Sequence, residues 1–121
     1  MRRQYLQVME MNPLTVIDIQ QQTKAISQYA NFPLTEVNDH VVRVGIMTEP
    51  FYWHMHPNSD ETFLVIEGVL FIDLEDSTIE LLPGQFFTIP KTIKHRTRPK
   101  GERSVNVTFE RQDMETIRLD Q

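Results

Sequence analysis

Between Thr35 and Glu110 the chain is a succession of short β-branched and aromatic runs, each cut off by turn-forming residues. The runs fall at residues 41–47, 51–56, 62–66, 69–74, 78–82, 86–89, 95–97 and 104–110. Between them stand "TEP", "PNSD", "EG", "EDS", "LPG", "PKTIK" and "PKGE", stretches that break regular structure. Many short strands at this spacing predict a sandwich or barrel. Before residue 35 the pattern changes. "DIQQQTKAISQYAN", residues 18–31, predicts a helix with Asp18 as N-cap, Gln21 as its capping-box partner, and Ile19, Ile26 and Tyr29 or Ala30 near one face. Asn31 and Pro33 are expected to end it. "TVID", residues 15–18, could be a short strand, the first dozen residues read as a polar arm, and the tail after Arg111 has no informative pattern. The expected layout is one domain overall, with an N-terminal arm and helix (1–34) packing on a barrel (35–121).

One strand says more than the others. "TFLVI", residues 62–66, is apolar at four of its five positions. A strand with one face in water alternates. Both faces of this one are therefore expected to be covered, one by the barrel interior and the other by a second sheet or another subunit.

Composition narrows the functional classes. A length of 121 residues suits one domain with a real core, and 40% hydrophobic residues fit a globular chain. The net charge of −5 repels phosphate and argues against a nucleic-acid partner. The absence of cysteine removes disulfides, thiol nucleophiles, zinc ribbons and iron–sulfur clusters, and fits a reducing compartment. No apolar run approaches ~18 residues and the N-terminus lacks a signal-peptide core, so a soluble cytoplasmic protein with no membrane partner is expected.

Of the four histidines, two stand in "WHMHPNSDETFLVIEG" with one residue between them. Alternate residues of a strand share a face, so His54 and His56 project together and Tyr52 joins them, while Trp53 and Met55 point away. Glu61 follows a tight turn and His95 arrives after another. Three imidazoles and a carboxylate can fill four positions of a metal; a six-coordinate ion would keep two for water, dioxygen or a bidentate substrate.

These residues resemble the two cupin motifs. His54, His56, Glu61 and Gly68 match the first (His-x-His-x4-Glu-x6-Gly); Gly84, Pro90 and His95 match the second (Gly-x5-Pro-x4-His). The resemblance is to small single-domain cupins of the mannose-6-phosphate-isomerase-like, cupin_2-like kind. It implies an all-β double-stranded β-helix, or jelly-roll barrel, to which the pattern of residues 18–31 adds a short N-terminal helix. It also implies one divalent transition metal (Fe, Mn, Ni, Zn or Cu) held by His54, His56, Glu61 and His95, and a homodimer. Three positions depart from the motifs: Thr48, Thr92 and Pro99 stand where Gly, Gly and Asn are usual. A β-branched residue disfavours positive φ, so the "PKTIK" turn is expected to take a different backbone shape.

Around the site, Phe63 and Val65 share Glu61's parity and are expected to form dry walls; only one of Phe86 and Phe87 can face the cavity. Tyr52 is a possible catalytic or substrate-binding group, or a packed rim residue. Arg43 could meet an anionic substrate or lie on a solvated face. Ser104, Asn106 and Thr108 make one polar face of the last strand, toward cavity or surface. His40 is expected to be exposed or satisfied, and the basic "KTIKHRTRPK" to be a solvated rim. With the other imidazoles on a metal, nucleophilic triads are poorly supported, and proton transfer would need metal-bound water, Tyr52 or an unplaced carboxylate. The expected function is a metal-dependent enzyme on a small polar, oxygen-rich ligand in the barrel, of dioxygenase, isomerase or decarboxylase type; the alternative is a non-catalytic binding or sensor barrel.

Overall fold

The computed structural model describes residues 13–119. In chain order these form α1 (Ile19–Thr23), β1 (Ala30–Val37), β2 (His40–Met47), β3 (His54–Met55), β4 (Glu61–Glu67), β5 (Leu70–Asp73), β6 (Thr78–Leu81), β7 (Phe86–Ile89), β8 (Arg96–Pro99), β9 (Ser104–Arg111) and β10 (Ile117–Arg118). A five-stranded sheet runs β1–β2–β9–β4–β7, a three-stranded sheet runs β6–β5–β8, and β10 pairs with β3. His54 and His95 exchange both backbone hydrogen bonds at 2.9 Å, which joins β3 to the entrance of β8. The result is the expected double-stranded β-helix.

Alternation along the strands builds two apolar layers. Between the sheets, Met47, Phe63, Val65, Leu70, Ile72, Leu81 and Ile89 are buried together, with Phe51 and Phe87 against them. On the outer face of the large sheet, Leu34, Val44, Ile46, Val105 and Val107 form a second cluster under Ile17, Ile19 and Ile26. Each fully buried side chain of this size contributes about 1.5–3 kcal/mol relative to exposure. "TFLVI" is covered as its composition demands: Phe63 and Val65 face the interior and Ile66 packs on the outer cluster.

The N-terminal segment departs from the predicted helix. Asp18 does cap α1, accepting from Gln21 N–H at 3.1 Å, but the helix stops at Thr23. The Arg103 guanidinium donates to the carbonyls of Thr23 (2.6 Å) and Ile26 (3.1 Å), which satisfies the frayed end. Residues 30–37 form edge strand β1 instead of a helix end, crossing position 34, where the sequence divides arm from barrel. Pairing with β2 outweighs local helix propensity here, and Pro33 is tolerated because it sits at an edge-strand register shift. The predicted "TVID" strand is absent, the 51–56 run narrows to His54–Met55, and the unpatterned tail supplies β10. The first dozen residues lie outside the described ones.

Candidate metal centre and its cavity

Three separate segments deliver the four predicted ligands. His54 lies on β3, His56 just beyond it, Glu61 opens β4, and His95 stands at the entrance of β8. All four are buried, and one potential ligand atom from each lies within 4.8 Å of the others. The loops that carry them are tied together: Thr92 N–H donates to His56 O at 2.8 Å, and Lys91 N–H to Asp60 Oδ1 at 2.9 Å.

The orientation of the imidazoles is the informative feature. Nδ1 of His54 contacts Tyr52 O at 2.8 Å, Nδ1 of His95 contacts Ile93 O at 2.8 Å, and Nδ1 of His56 contacts Glu115 O at 3.0 Å. A carbonyl only accepts, so each Nδ1 carries the proton and each Nε2 keeps its lone pair. Such an orienting bond is the usual partner of a metal-bound histidine. Nε2 of His56 lies 3.1 Å and Nε2 of His95 3.5 Å from Glu61 Oε1, and His95 Nε2 is buried without a hydrogen bond. An orphaned buried acceptor and a convergent carboxylate are the donor set a divalent transition ion takes, so these residues could hold one.

The electrostatics separate the rings. Burial, then the neighbouring His95, pushes His54 down to about 4, which keeps it neutral. Burial opposes charge on His56, but the hydrogen bond and charge of Glu61 outweigh it and raise its pKa. Burial also works against the Glu61 carboxylate; the facing His56 and His95 rings prevail and hold it well below the usual range.

The cluster sits at one side of a cavity of about 450 Å³. Tyr52 lines it, stacked on Phe51 at 4.2 Å between ring centroids and topped by Arg118. Phe63 lines it too, while Val65 lies deeper in the core. Phe87 faces inward and Phe86 outward, 64% exposed. Arg43, Asn106 and Thr108 all face the cavity. His40 is exposed beside Asp39. The basic run is no loose rim: Arg96 and Arg98 fold over Trp53 and Phe71 and both bind Asp73. Sequence reasoning missed Glu110, a buried cavity carboxylate whose pKa is raised by burial and then by the charge of Glu61. It continues the 104–106–108 parity, which was the available signal. The tail, read as uninformative, orients His56 through Glu115.

The cupin domain profile (Cupin_2) matches residues 40–109, more than half of the chain. The chain belongs to the cupin family. This cupin is 43% identical over 95 residues to Uncharacterized protein YdbB of Bacillus subtilis, covering 78% of this chain and 83% of that one. Polyketide synthase CurC of Streptomyces cyaneus is 38% identical over 56 residues, 46% of this chain but only 36% of CurC. The crystal structure of a cupin-2 domain containing protein from Shewanella frigidimarina superposes with a TM-score of 0.75 at 28% identity, covering 80% and 95% of the two chains. A double-stranded β-helix protein from Klebsiella pneumoniae, 17% identical, superposes at 0.73 over 88% and 97%, and shares the fold.

Proposed function

We propose that this cupin is a metal-dependent enzyme acting on a small, oxygen-rich molecule bound in the barrel. The observation that carries the reading is the convergence of three Nε2 lone pairs and one carboxylate in a buried pocket, each imidazole pre-set by a carbonyl on Nδ1. His54, His56, Glu61 and His95 would hold one divalent ion; nitrogen and oxygen donors together accept Fe, Mn, Ni, Zn or Cu. When bound, the ion supplies Lewis-acid polarisation or a site for oxygen chemistry, in keeping with a dioxygenase, isomerase or decarboxylase. The chain's own groups shape the rest. Phe51 and Phe63 keep water from one wall, and Tyr52 and Thr108 offer hydroxyls. Glu110 is the cavity carboxylate outside the four-residue cluster, able to hold a proton at an oxygen that has no protein partner. The partial similarity to a protein named as a polyketide synthase agrees with a poly-oxygenated substrate.

Elemental analysis of freshly purified protein is expected to give about one transition metal per chain. His56→Ala or His95→Ala should weaken binding by more than the roughly 10–100-fold that loss of an orienting partner costs. Metal content far below one, unchanged by either substitution, would sink the reading. Tight ligand binding to metal-loaded protein without turnover would move it to a non-catalytic sensor.

We also infer a twofold homodimer through the outer face of the large sheet. Phe86 is exposed there on edge strand β7, 6.4 Å from the half-buried Phe109 ring and opposite Leu64 in the strand register. An apolar patch of this kind on a sheet face supports burial against a second copy.

A further inference from the structure

Across the cavity from the histidines lies a group of side chains that the metal reading does not use. Arg43 projects inward from β2, half-buried, in a strand otherwise made of apolar residues and glycine inside its ends. Its Nε donates to Asn31 Oδ1 at 2.6 Å. Among the described residues its terminal nitrogens have no hydrogen-bond partner and it makes no ion pair. Glu110 shares the cavity and lies close enough to feel its charge, yet the two form no salt bridge. A guanidinium taken partly out of water without a counter-ion costs stability. Proteins keep such groups where a ligand supplies the missing charge.

The surroundings are built to the same end. Gly45, the next inward position on β2, has no side chain. Asn31 and Asn106 converge over it, their amide atoms 3.4 Å from where a Cβ would stand. Tyr29 closes the corner beside Arg43. The register places Arg43 opposite Thr108, and Thr108 opposite Phe63, the inward neighbour of Glu61. Arg43 and Glu61 are thus two strands and one pleat repeat apart, about 12 Å between Cα atoms. With both side chains reaching inward, a short molecule can touch the metal position at one end and the guanidinium at the other.

We propose that Arg43, held by Asn31 and flanked by Asn106, is an anion-recognition subsite, and that the substrate is a small organic acid whose carboxylate docks there while its other oxygens face the metal position. This rests on the metal reading for the far end of the ligand only. The planar guanidinium suits a carboxylate in a bidentate pair, and Asn31 fixes the approach by holding Nε. Arg43 is a specificity-determining residue: it selects acids over neutral molecules of the same shape.

The test uses Co(II)-loaded full-length protein and matched probes. 2-Oxoglutarate and 2-oxoadipate carry a distal carboxylate; 2-oxopentanoate and 2-oxohexanoate have the same lengths and metal-facing ends without it. Affinities are read by calorimetry and by the cobalt absorption bands. Wild type is expected to prefer at least one diacid over its matched monoacid by about tenfold or more. Arg43→Gln should bring the ratio within about twofold of unity without changing Co(II) affinity or monoacid binding. Arg43→Lys should give an intermediate ratio, and Asn31→Ala, which leaves the charge but frees the fork, should lower it several-fold. Equal affinities in wild type, or a preference that survives Arg43→Gln, would overturn the subsite. Absence of Co(II) binding in wild type as well as in every variant would instead overturn the metal centre. In that case glutarate binding to metal-free wild type and Arg43→Gln decides the subsite alone: weaker binding to Arg43→Gln supports it, and equal binding removes it.

Discussion

The Asp73 carboxylate accepts four hydrogen bonds, from Thr78 (2.7 Å), Arg96 Nε (2.9 Å) and two nitrogens of Arg98 (2.8 and 3.1 Å). The bonds from Arg98, with help from Thr78 and Arg96, hold its pKa well below the usual carboxylate range, against the effect of burial. A depressed folded pKa stabilises the protein above the unfolded value of about 3.9, and that contribution is lost as pH falls further. Asp73→Asn should therefore cost about 2–3 kcal/mol at pH 7, with the difference from wild type shrinking below about pH 4; denaturant melts across pH check it. Not every residue was equally readable. The clustering of His54, His56, Glu61 and His95 was legible because strand parity and fixed spacing are local. Arg43 was ambiguous and Glu110 was missed because their roles depend on which face of β2 and β9 turns inward, and a parity pattern does not name its inner side.

The turns decide how well the elements are aimed. Gly68, at φ 76°, has its missing Cβ position only 2.5 Å from the backbone oxygen of Arg103. Gly68→Ala is expected to cost about 2–4 kcal/mol, read from thermal or urea melts. Thr92 is the opposite case. Its β-branch leads one to expect a reshaped "PKTIK" turn, yet it takes φ 73°, the left-handed conformation that favours glycine. Its N–H bond to His56 O holds it there, within the loop that brings His95 to the site. Thr92→Gly should relieve the strain and raise stability by about 1 kcal/mol by the same melts. The misread N-terminal helix has a related cause: residues 30–37 are strand because β2 offers a pairing edge and the outer cluster offers burial for Leu34 and Phe32, neither of which a local window can see.

At the scale of the whole molecule, the outer face of the large sheet should control assembly. Phe86→Glu places a charge in the exposed patch and is expected to convert a dimer to a monomer by light scattering, with little change in metal content or fold. A monomeric wild type at all concentrations would remove the dimer.

The sequence by itself determined the all-β class, most strand positions, the four side chains that converge as a candidate metal centre and the absence of cysteine, because period-two alternation, turn residues and motif spacing are properties of short stretches. Only the tertiary structure decided that residues 30–37 join the sheet, that the C-terminal tail orients His56, and that Arg43, Asn31, Asn106 and Glu110 share one cavity with the histidines. Those facts depend on contacts that no short stretch contains, from Ala30 paired with Ile46 to His56 held by Glu115. They become definite only when the two sheets close on each other.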